Sequence, residues 1–80
     1  MKAEVYVTLK PSVLDPQGEA VRKAIHGMGM DCVKSARIGK YIELEIDGKN
    51  LEKTKSKLEE ICHDLLSNPV IENYRIEIKE

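Results

Sequence analysis

Two cysteines, two histidines, four serines and fourteen carboxylates are the side chains of this 80-residue chain with the means to do chemistry. Cys62 stands directly before His63, which in print looks like a thiolate–imidazole dyad. Neighbouring residues on a helix point about 100° apart, so the two side chains diverge. Cys62 also falls between Ile61 and Leu65 on an apolar helical stripe, where a cysteine packs as a small hydrophobe. Zinc needs three or four converging ligands. His26 lies far from His63, and there is no CxxC pair. Ser12, Ser35, Ser56 and Ser67 have no histidine–carboxylate pattern beside them, and no glycine-rich phosphate loop is present. Glu43 and Glu45, and Glu59 and Glu60, read as solvated faces. The expectation is a chain with no catalytic residue, no bound cofactor and no metal.

The elements that position these residues follow from periodicity. Residues 2–10 alternate, with Ala3, Val5, Val7 and Leu9 on one side and Lys2, Glu4, Tyr6 and Thr8 on the other, as a half-buried strand requires. Asp15 suits a helix N-cap and Pro16 the first helical position. Val21, Ala24, Ile25 and Met28 then share one helical face, and Gly29 suits the left-handed closing residue. Residues 32–47 read as two strands joined by a tight turn at Gly39-Lys40, with Ile42, Leu44 and Ile46 inward. Asn50 caps a second helix carrying Leu51, Thr54, Leu58, Ile61, Cys62, Leu65 and Leu66, the strongest periodic signal in the chain. Asn68-Pro69 stops it, and Tyr74, Ile76 and Ile78 mark a last strand.

The order β-α-β-β-α-β, with right-handed crossovers, gives an α+β fold: a two-layer, ferredoxin-like plait of four antiparallel strands with both helices on one face. Residues 1–80 are expected to form a single domain, too small to bury more than roughly 60 % of its unfolded surface. With disulfide and metal set aside, oligomerisation is the remaining source of extra stability. Two thiols without an export signal read as reduced and cytoplasmic, in preference to a Cys32–Cys62 bridge. The strand-like start Met1-Lys2-Ala3-Glu4-Val5 leaves no targeting segment to be expected. Thirteen basic and fourteen acidic residues give a net charge of −1 with no basic run, which argues against a nucleic-acid partner. No apolar stretch reaches the roughly 20 residues of a membrane span.

Plaits host many functions, so the loops and the open sheet face decide. A metal chaperone would carry CxxC in the first loop, which here holds no thiol. An RNA-recognition motif stacks bases on aromatics, and this chain has three Tyr, no Phe and no Trp. An acylphosphatase-type enzyme needs an arginine in the first loop, whereas Arg22 lies on the helix. A stand-alone regulatory domain sensing a small molecule, with Gly18 or Gly29 at a ligand, stays open as the alternative.

Three segments hold more than this fold requires. Gly18 costs about 0.5–1 kcal/mol inside a helix relative to Ala, and close approach of another backbone at that turn would account for it. Arg37 and Lys40 are either solvated cations of a hairpin or a pair converging on carboxylates or an anion. Residues 66–74 include the Asn68-Pro69 stop and Tyr74.

The sequence resembles the PurS family. The resemblance rests on Val13-Leu14-Asp15-Pro16-Gln17-Gly18, Ala20-Val21, Arg37-x-Gly39-Lys40-x-Ile42-Glu43-Leu44, and Leu65-Leu66-x-Asn68-Pro69-Val70-Ile71-Glu72-x-Tyr74, in order and almost end to end. Ser12 replaces a common Gly, Met28-Gly29-Met30 a common Leu-Gly-Phe, and Ala36 a common Val; these touch packing. The resemblance implies the small accessory subunit of three-component phosphoribosylformylglycinamidine (FGAM) synthase, an ATP-dependent, glutamine-hydrolysing ligase. In such a complex a large subunit holds ATP and Mg, a glutaminase subunit releases ammonia, and the small subunit, a dimer or, in isolation, a tetramer, bridges them and assists ammonia transfer. The residues expected at partner contacts are Asp15, Pro16, Gln17, Gly18, Arg37, Gly39, Lys40, Asn68 and Tyr74.

Overall fold

The computed structural model describes residues 1–79. Strand β1 spans Lys2–Leu9, helix α1 Pro16–Gly27, strand β2 Gly39–Glu45, helix α2 Leu51–Ile61, and strand β3 Glu72–Lys79. A single wide π turn, Cys62–Leu66, prolongs α2. The sheet is antiparallel with β1 in the centre, in the order β2-β1-β3. Alternation fixes its register. Val5 lies between Ile42 and Ile76, and Val7 between Lys40 and Tyr74. Ala3, Val5 and Val7 are fully buried, Cys62 packs with Val5 and Val7, and Leu58 of α2 is buried as well. Ile42, Leu44, Leu66, Tyr74 and Ile76 complete this core.

Both helix starts form as the sequence indicates. The Asp15 carboxylate accepts the Gly18 N–H at 2.9 Å, and Asn50 accepts that of Lys53 at 3.0 Å. Gly29 has φ +96°, the left-handed conformation that ends a helix. Of the expected α2 stripe, Thr54, Leu58, Ile61 and Cys62 are buried or half-buried, while Leu51 at its start is exposed. Beyond Cys62 the π turn changes the helical phase, so Leu66 packs on the core and Leu65 is left exposed.

The α+β class holds, but the described chain has three strands where four were expected. Gly39 and Lys40 do not turn; they are the first residues of β2, opposite Thr8 and Val7. Residues 33–38, which lead into β2, form neither helix nor strand. Only α2 covers the sheet, since Val21 and Met28 of α1 remain 40 % and 89 % exposed. The chain is therefore long and thin, 49 × 26 × 14 Å, with a radius of gyration of 16.1 Å. A compact 80-residue domain would have about 12 Å. The physical reason is a set of bonds between distant residues that tie residues 36–38 to the start of α1: Ile38 to Asp15, and Arg37 to Lys10 and Val13.

Candidate partner interface

Asp15, Gly18 and Arg37, distant in sequence, meet in one clamp. Asp15 is 7 % exposed, and its second oxygen accepts the Ile38 N–H at 2.8 Å. The backbone N–H groups of Ile38 and Gly18 hold its carboxyl below the usual aspartate range, with the Arg37 charge adding to them. Gly18 presses on the Ala36 carbonyl, so the backbone that approaches it belongs to this chain. Arg37 donates to the carbonyls of Lys10 and Val13 at 3.0 and 2.9 Å. One ring nitrogen of His26 lies 2.6 Å from the Val33 carbonyl. Residues 33–38 are thus pinned along α1 at both ends. Pro16 occupies the first turn and Gln17 is exposed beside it.

The other named residues sit elsewhere. A Cβ on Gly39 would lie 2.6 Å from the Val7 carbonyl oxygen, so glycine lets β2 close on β1. Lys40 does not converge with Arg37. It points to the end of the α2 segment, 3.4 Å from the Leu66 carbonyl and 3.9 Å from Glu72. Asn68 builds the turn into β3, its side chain accepting from Val70 N–H at 3.2 Å and its carbonyl from Ile71 and Glu72. Tyr74 packs against the core.

The open sheet face carries an arrangement whose centre, Tyr41, the sequence reading passed over. Tyr41, Tyr6 and Arg75 form one row across the strands. The tyrosine rings are 5.2 Å apart, and the Arg75 guanidinium lies 4.4 Å above Tyr6. The next row is Glu43, Glu4 and Glu77. Like charges in register repel, and here hydroxyl and ammonium groups offset that. The Tyr41 hydroxyl donates to Glu4 at 2.6 Å and also reaches Glu43 at 2.9 Å, while Lys79 lies 2.9 Å from the other Glu4 oxygen. The Tyr41 bond, followed by that to Lys79, lowers the Glu4 pKa. The same bond to Glu4 pushes the Tyr41 phenol well above the ordinary tyrosine value. Strict alternation from Glu43 and Glu45 would have placed Tyr41 on this face.

Cys32 is an exposed free thiol. Cys62 is buried and free, and burial raises its pKa, the opposite of what a nucleophile needs. His63 pairs with Asp64, both exposed.

The family model described as "PurS: Phosphoribosylformylglycinamidine (FGAM) synthase" matches residues 2–80. The phosphoribosylformylglycinamidine synthase subunit PurS of Bacillus subtilis is 51 % identical over 79 residues, covering 99 % of this chain and 93 % of that protein. Its solved structure superposes with a TM-score of 0.86 at 49 % identity, covering 99 % and 98 % of the two chains. A chain in the structure of PurLQS from Thermotoga maritima gives a TM-score of 0.85 at 34 % identity, covering 95 % and 93 %. The chain belongs to the PurS family of phosphoribosylformylglycinamidine synthase subunits.

Proposed function

We propose that this chain, a PurS subunit of the FGAM synthase ligase of purine biosynthesis, acts as a single-domain, homo-oligomeric bridge between the synthetase and glutaminase subunits. In this reading it contributes no reacting group. ATP and Mg bind on the large subunit, and the assembly works in the cytoplasm. Ammonia protonates in water near neutral pH, so its passage between two active sites needs a walled route. An adaptor that holds two large proteins in register supplies such a wall.

The observation that carries the reading is the elongated single chain. Three large side chains, Val5, Val7 and Cys62, are fully buried, while Leu14, Met28, Leu65 and Val70 are 77–89 % exposed. A chain this open gains stability by association. The solved PurLQS assembly from Thermotoga maritima, which includes a similar chain, points the same way. Self-association as a dimer, or a tetramer in isolation, also offers residues 33–38 a strand partner, completing the four-stranded plait in the assembly. Asp15, Pro16, Gln17, Gly18, Arg37, Gly39 and Lys40 then act near the junction between copies, and Asn68 and Tyr74 near a partner subunit.

The test is glutamine-dependent turnover by the large and glutaminase subunits, with and without this chain. Turnover that collapses on omission is the expected result. Unchanged turnover, or turnover of a substrate by this chain alone, would refute the reading.

A further inference from the structure

We propose that the open sheet face binds a guanine mononucleotide: the base stacks on Tyr41, Glu43 accepts from its edge, and Arg75 holds its phosphate. The site needs binding by this chain and no turnover, so it stands apart from the bridging role.

The stacking surface comes from strand register. Tyr41 of β2 and Tyr6 of β1 are cross-strand partners, with ring centroids 5.2 Å apart and planes inclined at 39°. The Tyr41 hydroxyl reaches the next row along the strands, to Glu4 at 2.6 Å and Glu43 at 2.9 Å. Its ring therefore lies down along the sheet with one face toward solvent, and Tyr41 is 49 % exposed. The Arg75 guanidinium covers Tyr6, 4.4 Å from its centroid, which leaves Tyr41 as the free ring. Aromatic rings on neighbouring strands of an open sheet face stack bases in RNA-recognition motifs, and every base has a π face to offer.

Glu43, at the edge of that ring, selects the base. Its side chain is 53 % exposed; Tyr41 donates to one oxygen and Lys2 lies 3.5 Å from the other. An ionised carboxylate has about four lone-pair sites, so both oxygens keep acceptor capacity. Two acceptors side by side match two donors side by side. Guanine presents its N1–H beside its 2-amino group. Adenine and cytosine set an acceptor nitrogen beside their amino group, and uracil flanks its N–H with carbonyls. Each of these aims a lone pair at a negative oxygen.

Arg75 supplies the phosphate contact. Its side chain is 65 % exposed and makes a loose ion pair with Glu77 at 3.5 Å. Its planar fork keeps N–H donors for a phosphate. Because it sits over Tyr6, the neighbour of Tyr41, it lies within one sugar's reach of a base on that ring. The rest of the face excludes a nucleic-acid strand. Glu43, Glu4 and Glu77 form one row across it, whereas a strand of phosphates needs a basic track.

The experiment is titration of the full chain with guanosine 5′-monophosphate, read by backbone amide chemical shifts and by tyrosine fluorescence, which no tryptophan masks. Saturable shifts centred on Tyr6, Tyr41 and Arg75 are expected. The adenosine, cytidine and uridine monophosphates should bind at least about tenfold more weakly, the discrimination a bidentate pair gives. Glu43→Gln should remove that preference, and Arg75→Gln should lower the nucleotide to the affinity of guanosine. Tyr41→Leu should weaken every base about tenfold. It also strips Glu4 of a hydrogen bond, so its fold is checked by thermal melting, and the exposed Glu43→Gln change decides alone if Tyr41→Leu unfolds. Equal binding of all four nucleotides overturns the proposal, as do shifts confined to α1 or α2 and a lack of saturation up to about 10 mM. A guanine-containing RNA oligomer that binds about tenfold more tightly than the mononucleotide would assign the face to RNA and overturn it too.

Discussion

Gly18 and Ala36 lie backbone to backbone: a Cβ on Gly18 would stand 3.0 Å from the Ala36 carbonyl carbon, and closer still to its oxygen. This contact joins the first turn of α1 to the segment that enters β2. It inverts the usual effect of a helical glycine, which stabilises when changed to alanine. Gly18→Ala is expected to lower stability by about 1–3 kcal/mol, the cost of overpacking, and to weaken self-association. Thermal melting and mass measurement at several concentrations check this; a raised Tm would contradict it.

Asp15 makes the clamp pH-dependent. Its folded pKa is depressed by the N–H groups of Ile38 and Gly18, so its contribution is present above the unfolded aspartate value of about 4. That contribution is lost as the pH falls through the folded value. Urea midpoints should therefore stay level near neutrality and drop below about pH 4. Asp15→Asn should start lower at pH 7 and show a shallower acid limb, with Glu4 and Glu19, also depressed, supplying the remaining slope.

Tyr41 contributes at the alkaline end. Its phenol is held neutral by the hydrogen bond to Glu4, with burial and Glu43 adding to it. The folded value lies above the unfolded value of about 10, so this contribution is complete below about pH 10 and is lost above it. Tyr41→Phe should abolish the most alkaline step in a phenolate absorbance titration. It should also raise the Glu4 pKa, which carboxyl chemical shifts would report.

Leu58 tests how little core the single chain has. It is 5 % exposed and is the buried residue of α2. Leu58→Ala should cost about 2–5 kcal/mol, a large share of the roughly 5 kcal/mol available to a small domain. Urea denaturation should show the midpoint falling, and the loss should shrink at high protein concentration if association supplies the rest.

Arg37 acts by holding loop carbonyls, so charge alone should not replace it. Arg37→Lys offers one ammonium where two carbonyls, Lys10 and Val13, now share a planar donor. Arg37→Ala and Arg37→Lys are expected to weaken self-association similarly, about tenfold in dissociation constant, with the isolated secondary structure kept. A sedimentation series over concentration reads this out.

The sequence alone determined what depends on near neighbours. Alternation placed β1 and β3, the Asp15-Pro16 and Asn50 signals started both helices, and the ordered motifs named the family. These follow from backbone stereochemistry and the period of apolar residues, which act over a few positions. The sequence also flagged Gly18 as a residue awaiting a close backbone, though not which backbone. Only the tertiary structure decided that Ala36 fills that place, that Gly39-Lys40 continues straight into β2, and that α1 leaves the sheet. A tight turn and a straight strand cost similar local free energy at a glycine, so bonds over twenty residues away chose between them: Ile38 to Asp15, and Arg37 to Lys10 and Val13. Tyr41 joined Glu4 for the same reason, since cross-strand register, and not sequence distance, sets which side chains meet.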